Sequence, residues 1–297
     1  MIEIIFLGTS CMQPTKERNH PGVLLTYEGE NILFDCGEGI QRQMKIAGIK
    51  PAKITKLLIT HWHGDHVLGI PGLMQTMGAS EYEKKLHIYG PEGTKEYIKN
   101  MMKAFVSEGT IDFEVHEVKE RIIFENDMFI LECLPLQHAT KTVGYSFIEK
   151  DKRRINTSYV KKLGIPDGPL LGKLQNGKDI EWKGKKISAD DATIIVKGKK
   201  VSYVLDTMIC NNAVELAKDA DLLICEASYT KAMRDKAEEY KHLTGEEAAT
   251  IANRANVKEL YLTHFSQRYK NTDEIEENAK DVFPNVKCAK DFMKVKL

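Results

Sequence analysis

Short apolar runs broken by glycine, proline and acidic turns recur along the chain, the pattern of strands alternating with a few amphipathic helices. Glu3 to Leu7 reads as a buried strand closed by the turn Gly8-Thr9-Ser10. Val23 to Tyr27 and Asn31 to Phe34 read as a hairpin around Glu28-Gly29-Glu30. A short helix over Gln41 to Ala47 stops at Gly48. Lys53 to Thr60 forms a strand, and Val67 to Ala79 a helix-like segment. A strand at Leu86 to Tyr89 precedes a helix at Thr94 to Val106, and strands follow at Phe113 to Val118, Met128 to Pro135 and Val143 to Glu149. Strand pattern returns at Thr193 to Val196 and Val201 to Leu205. The last third alternates helix and strand, at Asn212 to Lys218, Leu222 to Cys225, Gly245 to Ala255 and Glu259 to Leu262. Strands followed by helices in both halves predict an α/β fold of two sheets packed face to face with helices outside.

One stretch departs from this rhythm. Between about Lys150 and Lys186 the chain holds GIPDGPLLGKLQNG, and so many glycines and prolines do not belong in a core sheet. The whole chain has 43 basic and 43 acidic residues, so bulk charge points to no polyanion. Residues 150–186 carry 11 Lys or Arg against 4 Asp or Glu. The 297 residues exceed a usual single domain, yet a two-sheet sandwich can hold 1–297 as one domain with this insert. The six cysteines are widely spaced without a C-x-x-C pair, which argues against a zinc finger or a disulfide framework and fits a reducing, cytoplasmic setting. MIEIIFLGTS reads as a first strand and not a signal peptide, and no apolar run approaches the ~20 residues of a membrane helix.

The chemistry gathers in THWHGDH, where His61, His63, Asp65 and His66 lie within six positions at the end of the Lys53 to Thr60 strand. Strand ends are where α/β proteins place ligands. Imidazole and carboxylate suit zinc, and nine histidines in the chain would rarely cluster so by chance. His61 and His63 share a face of extended backbone, while Asp65 and His66, past Gly64, can turn to a second metal. His138, Asp206 and His264 each stop a later strand pattern, so all can gather at one end of the sandwich. Asp35, in FDCGEG, also closes a strand and is read as orienting a metal-bound histidine.

THWHGDH resembles the metal motif of the metallo-β-lactamase superfamily, and further matches resemble its tRNase Z family along essentially the whole chain. The resemblance implies a four-layer αβ/βα sandwich with a protruding flexible arm. It implies two Zn2+ per chain: one on His61, His63 and His138, the other on Asp65, His66 and His264, with Asp206 bridging. The implied activity is endonucleolytic removal of the 3′ trailer from precursor tRNA, leaving a 3′-hydroxyl on the tRNA and a 5′-phosphate on the trailer. Asp65 would orient the nucleophilic water and take its proton. His242, in HLT, would protonate the leaving oxygen, oriented by Glu226 in CEASYT. The family's matching stretches read HEAT and HST, so Cys225 and Leu243 depart from them.

Three more stretches concern substrate. PTKERNH, with Arg18 and Asn19, resembles a family loop near the cleavage site, and HFSQRY matches the family ending through Arg268 and Tyr269. The basic insert resembles the family's arm, with Gly168-Pro169 at its tip. Such an arm would grip the tRNA backbone and suit the family's homodimer. The alternative is a superfamily hydrolase of small phosphodiesters, which needs no basic arm.

Overall fold

The structure is a computed structural model that describes residues 1–106 and 111–297. The chain divides into two compact units: residues 1–125, 131–147 and 200–297, and residues 126–130 with 148–199.

The first unit is built on two sheets. Among the described residues, one has seven strands in the order Lys294–Lys296, Glu3–Gly8, Gly22–Tyr27, Glu30–Phe34, Lys56–Leu58, Leu86–Gly90 and Phe113–Glu117. The other runs Val286–Cys288, Leu260–Thr263, Leu222–Glu226, Lys200–Val204, Thr142–Glu149, Phe129–Leu136 and Ile122–Glu125. Its central strands LLICE and LYLT are buried throughout, because one face meets the other sheet and the other meets helices. Aromatic rings join the sheets: Phe34 lies 4.9 Å from Tyr203, and Tyr27 meets Phe147 edge-on at 5.2 Å. Helices Ile40–Ile46 and Ile70–Gly78 send Met44, Leu73 and Met77 onto Leu24, Leu33 and Leu57. On the second sheet, Ala248, Ala252 and Ile275 from helices Gly245–Arg254 and Asp273–Lys280 bury against Leu223, Cys225 and Leu262. The helix at Gly245 starts in a capping box, Thr244 with Glu247, worth about 0.5–2 kcal/mol. Four parallel strands in each sheet deliver their carboxyl ends to the loops that carry the site residues.

Several expected elements differ. The strand expected from Lys53 to Thr60 is only Lys56–Leu58, because Pro51 opens a 3-10 turn over Pro51–Lys53. The helix expected from Val67 is two pieces, Gly64–Val67 and Ile70–Gly78. The chain bends at Gly69, where an added Cβ would lie 2.0 Å from the Gly37 carbonyl oxygen, and Pro71 follows. Among the elements that escaped the pattern are strands Ile122–Glu125, Val286–Cys288 and Lys294–Lys296, and the charge-rich helices Arg234–Tyr240 and Asp273–Lys280.

The second unit starts before and ends after the basic insert read from the sequence. Lys152–Ile155 pairs antiparallel with Thr193–Val196, so that later strand belongs here and not to the large sheet. A small hairpin, Ile180–Trp182 with Lys185–Ile187, and helices Thr157–Lys162, Pro169–Gln175 and Ala189–Ala192 complete it. Val160, Ile165, Leu174, Ile180, Ile187 and Ala192 form its own small core. Gly168 and Pro169 open the helix Pro169–Gln175, with Gly168 at φ 147° and the proline where no helical N–H is needed.

Candidate metal centre

Site residues stand just past strand ends in the first unit. Asp35 follows Glu30–Phe34, Asp206 follows Lys200–Val204, and His264 follows Leu260–Thr263. All three adopt positive φ, at 54°, 49° and 63°. Asp and His tolerate this left-handed turn better than most residues, and it re-aims each side chain as the strand ends. Asp65 and His66 sit in the four-residue helix Gly64–Val67, so a helix start, and not the simple turn expected, presents them.

Two groups of ligand atoms result. Nε2 of His61 and Nε2 of His138 lie 3.0 and 3.3 Å from Nδ1 of His63, and 3.5 and 3.7 Å from Oδ2 of Asp206. Nε2 of His66 lies 3.2 Å from Nε2 of His264, and both approach Oδ2 of Asp65, at 3.4 and 3.5 Å. The same two nitrogens stand 3.4 and 3.3 Å from Oδ1 of Asp206. One carboxylate thus turns an oxygen to each group. Oδ1 of Asp206 is buried without a hydrogen-bond partner among the described residues. An orphaned anionic oxygen ringed by imidazole nitrogens is costly without a cation. Seven side chains of this kind fit two divalent metal sites sharing Asp206.

The outer ring nitrogens support that reading. Nδ1 of His66 meets Oδ2 of Asp35 at 2.9 Å, Nδ1 of His138 meets the Lys241 carbonyl at 2.9 Å, and Nδ1 of His264 meets Oγ of Ser228 at 3.0 Å. Nδ1 of His61 meets Oγ1 of Thr60 at 3.0 Å. A proton held at Nδ1 leaves the Nε2 lone pair facing inward, as a ligand needs. Asp35 itself accepts from the Thr60 N–H at 2.8 Å and the Tyr203 hydroxyl at 3.2 Å. Burial lowers the proton affinity of His61 and His63, which keeps them neutral. Burial also acts against charge on His66 and His264, but Asp206 and the other carboxylates outweigh it and raise both. For Asp65 and Asp206 burial is likewise outweighed, here by the surrounding imidazoles, and both carboxyls are held ionised.

His242 adjoins this centre. Its Nδ1 lies 3.1 Å from each oxygen of Glu226 and 4.0 Å from Oδ2 of Asp206. Glu226 is fully buried and also accepts from the Thr207 N–H, the Leu243 N–H and the Ser228 hydroxyl. Burial opposes a charge on His242, yet Glu226 prevails and pushes its pKa up to about 9. The two departures from the family motifs do not disturb this pair. Cys225 and Leu243 both point into the apolar core behind the second sheet.

A cavity of about 380 Å³ opens here, lined by His63, Asp65, His138, Asp206, His242 and His264. A larger hollow of about 660 Å³ lies between Arg121, Lys200 and Arg254 and contains none of these groups. Arg268 lines the active cavity, its guanidinium 5.2 Å from the Tyr229 ring centre and its Nε donating to Ser266 Oγ. Arg18 and Asn19 are engaged elsewhere. Arg18 donates from Nη2 to the Tyr269 and Ser266 carbonyls at 2.6 and 3.3 Å, and the Asn19 amide donates to the Glu38 carbonyl at 2.8 Å. Both therefore brace the loops beside the cavity. Gly168 and Pro169 belong to the second unit.

Pattern reading missed Thr60, Ser228 and the Lys241 carbonyl, which hold the rings, and Tyr229, Lys236 and Tyr240, which line the cavity. A carbonyl has no residue signature. Tyr229, only three positions after Glu226 in EASYT, could have been found from the motif.

A family model described as Anti-Pycsar protein Apyc1 matches residues 2–159. The ribonuclease Z of Methanothermobacter thermautotrophicus is 43% identical over 298 residues, covering 100% of this chain and 97% of that protein. The ribonuclease Z of Archaeoglobus fulgidus is 40% identical, covering 100% and 98%. Among solved structures, the short form of human tRNase Z superposes with a TM-score of 0.73 at 30% identity, covering 99% of this chain and 98% of that one. The metallo-β-lactamase fold protein YhfI from Bacillus subtilis superposes with a TM-score of 0.72 at 18% identity, over 99% and 98%, a likeness of fold.

Proposed function

The chain belongs to the ribonuclease Z family, and over residues 2–159 to the family described as Anti-Pycsar protein Apyc1; from that premise we propose that it is a zinc-dependent endoribonuclease that removes the 3′ trailer of precursor tRNA. In this reading His61, His63 and His138 hold one zinc, Asp65, His66 and His264 hold the other, and Asp206 joins them. The observation that carries the reading is Asp206, with one oxygen toward each nitrogen cluster and Oδ1 otherwise unpartnered. Bound there, a zinc pair supplies a water of pKa near ~7 and offsets the charge of the phosphate.

The remaining work falls to side chains. Asp65, ionised and anchored by the Met12 N–H at 2.9 Å, orients the attacking water and accepts its proton. His242, kept protonated by Glu226, gives a proton to the departing 3′-oxygen. In-line attack then leaves a 3′-hydroxyl on the tRNA and a 5′-phosphate on the trailer. Arg268 beside the cavity meets the RNA, while Arg18 and Asn19 act through the loops that they hold.

The basic second unit grips the tRNA backbone as the arm of this enzyme, with Gly168-Pro169 shaping its contact. Arg154, Lys161, Lys162, Lys173, Lys178 and Lys185 are exposed and have no acidic partner among the described residues. Cations free of local partners can neutralise phosphates and release counterions. A homodimer and a cytoplasmic setting complete the proposal. The six cysteines, all unpaired, agree with a reducing compartment, and no helix among the described residues is long and apolar enough to cross a membrane.

Incubation with a trailer-bearing precursor tRNA, with and without a chelator, tests the reading. A single cut with the two ends named above, abolished by the chelator and restored by zinc, is expected. Turnover of bis(p-nitrophenyl) phosphate with no cut in the precursor would favour a hydrolase of small phosphodiesters instead.

A further inference from the structure

A second group of metal-ligating atoms lies on the first sheet, apart from the centre described above. Strands Leu86–Gly90 and Phe113–Glu117 pair in parallel, with His87 opposite Glu114 and Tyr89 opposite His116. Alternation along each strand places these four side chains on one face. Leu86, Ile88, Phe113 and Val115 turn to the other face, into the apolar cluster under the helices. The register therefore sets two imidazoles and a carboxylate side by side at the edge of the sheet, where Phe113–Glu117 is the last strand among the described residues.

Nδ1 of His87 and Nε2 of His116 face each other at 3.2 Å, and Oε2 of Glu114 lies 4.0 Å from the same Nδ1. One ligand atom from each of the three residues lies within 4.8 Å of the others. Tetrahedral zinc with Zn–N bonds of ~2.0–2.1 Å separates its ligand atoms by about 3.3 Å, close to the imidazole spacing found here. The ring of His116 is held in place by stacking on Tyr89, at 4.7 Å and 18°. Burial lowers the proton affinity of His116, which favours the neutral ring that a ligand needs. Lys85, whose Nζ is 4.0 Å from Oε2 of Glu114, is the competing cation, but it sits at the outer rim and is half exposed.

We propose that His87, Glu114 and His116 form a third metal site, for a divalent ion of the zinc class, that clips the edge strand Phe113–Glu117 to its neighbour. Two nitrogens and one carboxylate oxygen select zinc, nickel or copper over magnesium or calcium. A fourth position remains for water. His87 and His116 are 29 positions apart in the chain. An ion joining them closes the intervening segment, which includes the helix Thr94–Lys103, and resists fraying of the edge.

The test compares wild-type protein with the His87→Gln/His116→Gln variant after equilibration with zinc and removal of free metal. The expected result is one zinc fewer per chain in the variant, whatever the wild-type total, with precursor cleavage unchanged. Equal zinc in both proteins would overturn the proposal. In a His61→Ala/His264→Ala background, which disables the dinuclear centre, one copper(II) per chain should show nitrogen hyperfine coupling by EPR. Glu114→Gln should weaken that copper binding at least several-fold and His116→Gln should abolish the two-nitrogen signal. Copper bound without nitrogen coupling, or with coupling indifferent to His116→Gln, would equally overturn it. Failure of the precursor-tRNA assay would leave the zinc count and the copper signal untouched, so the two proposals fail separately.

Discussion

The seven-residue centre and the basic unit at 148–199 are opposite ways of using charge. In the centre His61, Asp65, His66, Asp206 and His264 are buried, and nearly every ring nitrogen or carboxylate oxygen has a fixed neighbour. In the basic unit most lysines are exposed, several lack any acidic partner among the described residues, and the apolar core is small. Buried charge demands exact counter-groups and tolerates little change, whereas solvated charge acts by number and is screened by salt. Chemistry and affinity should therefore separate cleanly between the two regions.

The sharpest way to break that contrast is Asp65→Ala. Cleavage should fall by at least ~10²–10⁴-fold, the usual worth of a positioned acid–base group, while precursor binding stays near wild type in a gel-shift titration. Parallel loss of binding would show that the regions are not independent.

Next is the His242–Glu226 pair. His242→Ala should lower cleavage by ~10²–10⁴-fold. Glu226→Gln should move the alkaline limb of the pH–rate profile to lower pH, because Glu226 is what raises His242 to about 9. The linkage has a definite sign in metal-free protein. The folded pKa lies above the ordinary histidine value of about 6.5, so the stability from this pair is fully present below about pH 6.5 and is lost as pH rises through about 9. Denaturant melts across that window measure it, and flat stability would refute the pairing.

A smaller effect is expected at Asp35. Asp35→Asn replaces an acceptor of the His66 and Thr60 protons with an amide that can donate, which upsets the tautomer of His66. Metal affinity should drop ~10–100-fold, read by chelator competition, with maximal rate recovered at high zinc. The mildest change is Lys161→Ala/Lys162→Ala. If both contact phosphate, the slope of log affinity against log salt should flatten by ~0.7–0.9 per contact, with hydrolysis of a small diester unchanged. An unaltered slope would mean these lysines are merely solvated.

Much of this division could be read from residues alone, and the reasons for the gaps are physical. THWHGDH is legible because histidine and aspartate crowd into six positions as the proposed metal ligation would require, and His138, Asp206 and His264 because each interrupts an apolar run. The strands LLICE and LYLT stand out since burial on both faces leaves them no polar position to spare at their centre. Helices Arg234–Tyr240 and Asp273–Lys280 were hidden by their charge, which solvent accepts in any conformation. Thr193–Val196 looked like any other strand, and only its pairing with Lys152–Ile155 places it in the smaller unit. The role of Arg18 was equally hidden, since a guanidinium that braces carbonyls and one that meets phosphate have the same sequence. The His87, Glu114 and His116 group went unseen because two parallel strands far apart in the chain bring it together.

The most direct test of the central claim is an X-ray structure of active, zinc-loaded protein with anomalous data on both sides of the zinc edge. At the Asp206 centre the account predicts two zinc peaks ~3.5–4 Å apart, one beside each carboxylate oxygen, apart from the ion proposed at His87, Glu114 and His116. A single peak at that centre, or ions that leave Asp206 without contact in protein that still cleaves precursor tRNA, would contradict it.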